Sequence, residues 1–279
     1  MPKSLKEKNN YIEITSFSNP KIKLVNKLLK DGPLRQESKI ILVDGKREIE
    51  EAVKRGWKIK EFFYSPEIIK DKRDLEIINF FSNNAKSNYQ LSKKIFSKIS
   101  YKKNPDGFLA ILESHFLKWK DLKIKKNPLV LILESVEKPG NLGAIIRTAY
   151  AAGVDLIILN DQKTDLYSPN VIRASTGFIF SMPIIISSVE ETIEWCHNND
   201  IKILATSLKA KKNHFEIDFK KGTGIVFGTE AFGLSKAWLN EKIDQVSIPM
   251  ISGVDSLNVS VSVGVIVYEA TRQRKYFKN

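Results

Sequence analysis

The chain has 279 residues, enough for one large domain or two ordinary ones, and 42% of them are hydrophobic, which supports a sizeable core. A single cysteine, Cys196, excludes an internal disulfide, and with only three histidines we predict no metal site. The sequence has no signal-peptide pattern and no apolar run of membrane-spanning length. We therefore predict a cytoplasmic protein without a membrane segment.

The positive charge is unevenly distributed. The net charge is +13, and residues 1–128 hold 29 Lys/Arg against 16 Asp/Glu, while residues 129–279 hold 16 of each. A lysine-rich genomic bias would act on both halves, so it explains this asymmetry poorly. Because the basic residues are scattered over residues 1–128, a membrane-surface helix is also disfavoured. The pattern favours a module that binds a polyanion, joined to a neutral catalytic body.

The N-terminal region predicts a small α/β domain over residues 1–114. A turn at Asn19-Pro20 opens a helix whose apolar residues recur at helical spacing, and Gly32 is predicted to end it. Three short strands and one further helix follow, at residues 40–43, 46–55 (the helix), 61–64 and 108–112. The charged segment 115–128 is predicted to be a linker.

The region 129–279 predicts a second α/β domain with a parallel sheet. Its first strand, 129–133, is an unbroken apolar run, as expected for a strand buried on both faces. Further strands are predicted at 156–159, 184–186, 201–205, 224–227 and 245–248, and helices at 141–152, 171–175, 189–197 and 257–275. In such sheets the ligand-binding loops lie at the carboxyl ends of the strands.

Three segments at the ends of apolar strands carry the polar residues of interest. The first, residues 134–147, contains Asn141 and Arg147, and apolar neighbours around Arg147 indicate a defined anionic partner. The second, 225–235, has glycines around Glu230, and the third, 248–262, has Ser256 and Asn258 where a helix begins. Taken alone, asparagine or serine at these positions is typical of a helix cap. The glycine-rich fingerprint of a Rossmann nucleotide-binding fold is absent from the sequence.

Together, these segments resemble the three signature motifs of the SpoU (TrmH-like) family of the SPOUT superfamily. The matching blocks are N-x-G-x-x-x-R from Asn141, G-x-E-x-x-G-L-S from Gly228, and I-P-M…S-L-N-V-S-V from Ile248, in that order. The N-terminal region, with Ser18-Asn-Pro-Lys, Val43-Asp-Gly-Lys-Arg and Asn104-Pro-Asp-Gly-Phe-Leu-Ala, resembles the family's substrate-binding domain, which has a ribosomal-protein-like fold. The resemblance implies a deep trefoil knot, a homodimer and S-adenosylmethionine as cofactor.

The resemblance also implies roles for individual residues. Those expected to contact the cofactor are Thr206, Gly228, Ile248 and Leu257. Those expected to form the catalytic group are Asn141, Arg147, Glu230, Ser256 and Asn258. The family's arginine has been proposed as a base, but a guanidinium stays protonated, so we interpret Arg147 as a clamp on an RNA phosphate.

These inferences predict an enzyme that methylates a ribose 2′-hydroxyl of RNA. The appended basic domain favours large-subunit (23S) ribosomal RNA over transfer RNA as the partner. Two alternatives stay open: an RNA-binding protein of this fold that no longer methylates, and a methyltransferase that acts on a base.

Overall fold

The structure is a computed structural model that describes residues 11–71, 73–229, 233–240 and 243–275. The chain divides into two compact units. Unit 1 comprises the residues up to His115 together with Leu166–Ser181, and unit 2 comprises Phe116–Asp165 and the residues from Met182 onward. The predicted division into 1–114, 115–128 and 129–279 stays a prediction.

The helices and strands alternate along most of the chain, as predicted for an α/β protein. The elements up to His115 are β1 (Ile12–Ile14), α1 (Pro20–Lys30), α2 (Gly32–Ser38), β2 (Ile40–Asp44), α3 (Lys46–Lys54), β3 (Ile59–Tyr64), α4 (Arg73–Asn84), β4 (Ala85–Leu91), α5 (Lys93–Ile99) and β5 (Phe108–Glu113). Those that follow are β6 (Leu129–Glu134), α6 (Pro139–Ala152), β7 (Leu156–Asn160), α7 (Pro169–Ala174), β8 (Ile184–Ser187), α8 (Val189–Asn198), β9 (Lys202–Thr206), β10 (Lys212–Asn213), β11 (Thr223–Phe227), β12 (Asp244–Ser247) and α9 (Val259–Lys275).

Unit 1 is a five-stranded sheet in the order β1-β4-β3-β5-β2, with helices on both faces. Strand β5 is antiparallel to β2 and β3, and the other pairs are parallel. Successive residues of a strand point to opposite faces. Accordingly, Phe63 packs in a cluster with residues of α1 and α5, whereas Phe62 contacts the ring of Phe81 on α4.

The prediction that Gly32 ends the first helix is only half right. Helix α1 follows the turn at Asn19-Pro20 as predicted, the Asn19 side chain accepts the Lys21 N–H at 2.8 Å, and α1 ends at Lys30. Gly32 is then the first residue of α2, whose N-cap is Asp31. An Asp-Gly-Pro sequence opens a helix as readily as it closes one, because aspartate caps and proline suits the first turn.

The segment Leu166–Ser181, which contains α7, lies in unit 1 although both its neighbours in sequence belong to unit 2. The ring of Phe180 contacts that of Trp57 at 5.0 Å, and the indole N–H donates to the Phe180 carbonyl at 3.3 Å. The Arg55 guanidinium donates to the Ser181 hydroxyl at 3.0 Å. The core of unit 1 is therefore completed by this segment, which lies between β7 and β8 in the sequence.

Unit 2 contains the predicted parallel sheet. Its seven strands are all parallel, in the order β10-β12-β9-β11-β6-β7-β8. Every residue of the central strands β11, β6 and β7 is buried, which explains why their sequences are mostly apolar. The Ser188-x-x-Glu191 capping box opens α8 as the sequence indicates.

Most of the segment predicted to be a linker belongs to unit 2 and packs within it. Trp119 stacks on Trp195 of α8 with ring centroids 4.9 Å apart. The apolar residues that join the same core are Leu117, Trp119, Leu122 and Ile124. The segment therefore adds to the core of unit 2. Its few apolar residues are not obvious in the sequence because they are interspersed with lysines. None of the described helices is long and apolar enough to cross a membrane.

The C-terminal helix α9 packs on α6 and is fastened at its last turn by Arg274. The Arg274 guanidinium donates to the carbonyl oxygens of Phe219 at 2.7 Å, Asn127 at 2.8 Å and Lys221 at 2.6 Å, with Pro128 at 3.3 Å. Burial lowers the pKa of this guanidinium. One side chain thus joins α9 to the segments that enter β6 and β11.

Replacing Arg274 with alanine should lower the free energy of unfolding by about 3 kcal/mol, because charged hydrogen bonds are lost and partly buried carbonyls are left unpaired. Urea unfolding followed by tryptophan fluorescence measures this change. The matched control is Arg272→Ala, whose exposed guanidinium pairs with Glu269 and should contribute far less to stability than Arg274. Equal effects of the two substitutions would contradict the anchoring role.

Candidate active site

A cleft opens in unit 2 where the carboxyl ends of β6 and β11 meet the start of α9. Its volume is about 250 Å³. The residues that line it are Ser135, Val136, Glu137, Lys138, Gly228, Thr229 and Val259. All three segments singled out in the sequence therefore contribute to one cavity, at the sheet edge where parallel α/β folds bind ligands.

The loop after β11 folds back on itself at Gly228. A Cβ atom on Gly228 would lie 2.3 Å from the carbonyl carbon and oxygen of Gly233 and 2.6 Å from the Leu234 nitrogen. Thr229 and Gly233 exchange backbone hydrogen bonds of 3.0 and 3.2 Å, and Gly233 has a φ of 70°. Only glycine fits at 228. The predicted catalytic residue Glu230 lies outside the described residues.

Glu134 holds this loop in place, a role that the sequence did not indicate. It ends β6, is buried, and its carboxylate accepts the Ser235 N–H at 2.8 Å. A carboxylate at the end of an apolar strand is the signal that could have drawn attention to it, since buried acids have partners. Glu134 thus connects the first motif segment to the second.

The loop from β6 to α6 is held by hydroxyl groups. The buried hydroxyl of Thr164 lies 2.7 Å from the Val136 carbonyl oxygen and 2.6 Å from that of Glu137, and can donate to either. Ser135 has a φ of 54°, and its hydroxyl donates to the Asp161 carboxylate at 2.6 Å. Lys163 and then Ser135 hold the pKa of Asp161 below its usual value. These contacts fix the wall of the cleft before any ligand binds.

Asn141 and Asn258 meet beside the cleft. The Asn258 amide donates to the Asn141 side-chain oxygen at 3.3 Å. Asn258 also caps α9, because its side-chain oxygen accepts the Ser260 N–H at 3.0 Å. Asn141 is not a cap: α6 begins two residues earlier, at Pro139, so Asn141 lies in its first turn. The helix-cap interpretation therefore fits Asn258 and does not fit Asn141.

Arg147 and Ser256 are both exposed. Arg147 lies on α6, two turns beyond Asn141, and its guanidinium forms no hydrogen bond or ion pair with the residues that the structure describes. Its apolar neighbours Ile145 and Ile146 are buried, whereas Arg147 itself is exposed, and the anionic partner predicted for it stays a prediction. Ser256 lies in the loop that precedes α9.

The four predicted cofactor residues are placed differently from one another. Gly228 lines the cleft, whereas Thr206, Ile248 and Leu257 are not among the described residues that line it. The Thr206 hydroxyl donates to the Val226 carbonyl at 2.8 Å and so joins β9 to β11. Leu257 is 37% exposed. Within the described ranges, no three His, Cys, Asp or Glu residues are arranged to hold a metal ion.

Two family models match the chain. The model of the SpoU rRNA Methylase family matches residues 128–268, which include every segment that lines the cleft. The model of the MRM3-like substrate binding domain matches residues 19–110, in unit 1.

Individual relatives match over nearly the whole length. An uncharacterised tRNA/rRNA methyltransferase of Synechocystis is 33% identical over 94% of both chains. The 23S rRNA (guanosine(2553)-2′-O)-methyltransferase of Bacillus subtilis is 28% identical over 92% of this chain and 98% of its own. The AdoMet-bound rRNA methyltransferase of Sinorhizobium meliloti superposes with a TM-score of 0.84 at 29% identity, covering 96% of this chain and 99% of its own. The chain therefore belongs to the SpoU rRNA methylase family.

Proposed function

We propose that this protein transfers a methyl group from S-adenosylmethionine to a ribose 2′-hydroxyl of RNA, and that its substrate is large-subunit (23S) ribosomal RNA. The observation that carries the proposal is the single cleft formed by the three motif segments, with Asn141 and Asn258 in contact beside it. The family membership and the AdoMet-bound relative support the same cofactor.

The residues around the cleft suit S-adenosylmethionine. Gly228 carries no side chain and lets the loop turn back sharply, so backbone groups border the cavity. Glu134 fixes the loop after β11 and Thr164 fixes the loop after β6, and neither side chain lines the cavity. We assign Gly228, Ile248 and Leu257 to backbone contacts with the cofactor, and Thr206 to supporting the strand beside them.

Once bound, S-adenosylmethionine supplies a methyl group on a positively charged sulfur. The ribose oxygen forms a bond to the methyl carbon as the carbon–sulfur bond breaks, and the hydroxyl proton leaves to solvent. The protein must hold oxygen, carbon and sulfur in line, and positioning of this kind can supply about 7–11 kcal/mol of the barrier. We assign Asn141 and Ser256 to orienting the ribose, Arg147 to an RNA phosphate, and Glu230 and Asn258 to holding the loops.

Alkali provides a direct test, because a ribose 2′-O-methyl group blocks cleavage of the adjacent phosphodiester. Protein-free 23S ribosomal RNA and transfer RNA from a deletion strain are incubated with the enzyme and labelled S-adenosylmethionine. We expect the label in alkali-resistant dinucleotides of 23S RNA. Label in transfer RNA would show that transfer RNA is the substrate, and label on a base would overturn ribose methylation. Cofactor binding without transfer to either RNA would favour the non-methylating alternative.

The exposed face of α9 supports a homodimer. Val261, Val265 and Tyr268 recur at i, i+4 and i+7, and are 50%, 36% and 52% exposed. This apolar stripe lies opposite the residues of α9 that pack on unit 2.

Sedimentation at micromolar concentration should therefore give the mass of a dimer, and Val265→Asp should give a monomer, because it places a charge in the apolar contact. The control is Leu239→Asp, at an exposed leucine outside α9, which should leave the dimer intact. A monomeric native protein would overturn the proposal.

The trefoil knot is also retained as a proposal. The chain leaves the sheet at β12, on the far side of β9, yet α9 returns to pack on α6, which follows β6. The segment 248–258 must therefore cross the carboxyl edge of β9 and β11, where a threaded chain would pass. We also retain a cytoplasmic location, which suits the RNA substrate and the lone buried thiol of Cys196.

A further inference from the structure

Helices α1 and α5 form one layer on the sheet of unit 1. Their buried residues, including Val25 of α1 and Phe96 of α5, join one core cluster with Phe63, Tyr89 and other strand residues. Among the described residues, none from α3 or α4 belongs to that cluster, and α4 packs against Phe62 on the opposite face. The outer surfaces of α1 and α5 therefore form a continuous face, which we call the α1/α5 face.

The basic residues of unit 1 are divided unequally between these layers. Helices α1 and α5 carry seven lysines and no aspartate or glutamate. Helices α3 and α4 carry four basic and five acidic residues. The short helix α2 adds one arginine and one glutamate, which cancel. Seven of the thirteen net positive charges of residues 1–128 thus lie on α1 and α5.

The lysines of this face are also available for a ligand. Lys21 pairs with Glu61. The other lysines of α1 and α5 form no ion pair within the described part of the chain, and Lys23, Lys27 and Lys30 form an exposed stripe at helical spacing. Elsewhere in unit 1 several basic side chains are paired internally, for example Lys46 with Asp74 at 2.7 Å. A row of unneutralised ammonium groups suits a row of phosphates.

Aromatic rings adjoin the lysines. Lys98 of α5 lies over the ring of Phe17 at 4.8 Å, and Phe17, in the loop before α1, is 38% exposed. Tyr101, just beyond α5, is 41% exposed. Exposed rings among lysines are the combination with which proteins bind unpaired nucleotides, because bases stack on rings while lysines contact the backbone.

We propose that the α1/α5 face binds the sugar–phosphate backbone of the substrate RNA, with Phe17 and Tyr101 as stacking surfaces for unpaired bases. The inference rests on the proposed function, since it assigns the RNA-binding surface of that methyltransferase. The structure also distinguishes the lysines of this surface from lysines that serve the fold, although the sequence alone shows no difference between them. Lys102 is partly buried between Glu48 and Asp106, each at 3.1 Å, so it belongs to the fold and not to this surface.

The test compares two full-length variants that remove the same charge. One carries Lys23→Ala, Lys27→Ala, Lys94→Ala and Lys98→Ala on the α1/α5 face. The control carries Lys54→Ala, Lys58→Ala, Lys70→Ala and Lys86→Ala, at exposed positions outside α1 and α5. Affinity for protein-free 23S ribosomal RNA is measured over a range of salt concentrations, and S-adenosylmethionine binding checks that each protein is intact.

The face variant should lose RNA affinity and salt dependence together. Each phosphate contact contributes about 0.7 to the slope of log affinity against log salt on single strands, which is about fivefold in affinity per tenfold change in salt. Loss of two to four contacts should weaken binding by about 25- to 600-fold at roughly 0.1 M salt and flatten the slope by about 1.4–2.8.

The control should retain the native affinity within about threefold and a slope within about 0.7 of the native value. Equal losses in both variants, or a greater loss in the control, would overturn the location of the RNA-binding surface while leaving the methyltransferase proposal intact. Native RNA binding by the face variant would do the same. Failure of the native protein to methylate any RNA would instead overturn the proposed function.

Discussion

Arg147→Ala should lower the rate of methyl transfer by about 10²–10³-fold, the usual cost of removing one group that stabilises or orients a transition state. Affinity for S-adenosylmethionine should stay within about twofold of the native value. Single-turnover transfer to RNA measures the first quantity, and calorimetry without RNA measures the second.

The placement of Arg147 on α6 is the reason for this separation. The cleft is bordered by residues 135–138, just before α6, whereas Arg147 lies about 12 Å further along the helix axis at 1.5 Å per residue. Helical side chains point towards the N-terminus, so the exposed guanidinium extends back along the surface outside the cleft. From there it can contact a phosphate next to the target ribose.

Two further variants sharpen the result. Arg147→Lys keeps the charge but not the paired N–H groups, so it should restore only part of the rate. Arg272→Ala removes an exposed arginine that is already paired with Glu269, and should leave the rate unchanged. If Arg147→Ala weakened cofactor binding along with the rate, the arginine would belong to the cofactor site and the phosphate clamp would be wrong.

The meeting of the three motif segments at one cleft was predictable because it follows from strand order. Apolar runs such as 129–133 and 224–227 mark buried parallel strands, and polar residues directly after them must meet at one edge of the sheet. That logic, with the family resemblance, placed Gly228 in the cleft wall and brought Asn141 near Asn258.

Contacts between residues far apart in sequence were not predictable. Nothing local to Glu134 indicates that it accepts the Ser235 N–H, about a hundred residues later. In unit 1, β4 (Ala85–Leu91) was missed because its sequence AKSNYQL is mostly polar and only its last residues are buried. It is a strand because it pairs with β1 and β3 on either side. In both cases a tertiary contact, not local propensity, decides the structure.

Contacts between residues far apart in sequence also decide whether the basic region can be removed from the catalytic region by truncation. A fragment starting near Asn127 retains the three motifs, and the sequence alone suggests that it would fold. The structure opposes that expectation. Such a fragment would lack Trp119, which packs on Trp195, and would leave Phe180 without Trp57. Charge substitutions in the full chain avoid this damage.

Gly228→Ala should weaken S-adenosylmethionine binding strongly, because the new methyl group would overlap backbone atoms and not a flexible side chain. Relief requires the loop to move away from Gly233, which separates the paired backbone groups of Thr229 and Gly233. Overpacking of this kind costs about 1–3 kcal/mol, which corresponds to about 5- to 150-fold in Kd. Calorimetric titration with S-adenosylmethionine measures the change.

The control for Gly228→Ala is Gly264→Ala on α9, where the nearest atom to an added Cβ is a Thr148 methyl carbon at 3.9 Å, an ordinary contact. Its cofactor affinity should equal that of the native protein. Thermal unfolding of both variants shows whether the effect is local or global. Because the strain lies in a surface loop at the end of β11, the Gly228 variant should lose much more free energy of cofactor binding than free energy of unfolding. A Gly228→Ala protein that binds S-adenosylmethionine with native affinity would show that this loop does not form the cofactor site, and the assignment of Gly228 would have to be withdrawn.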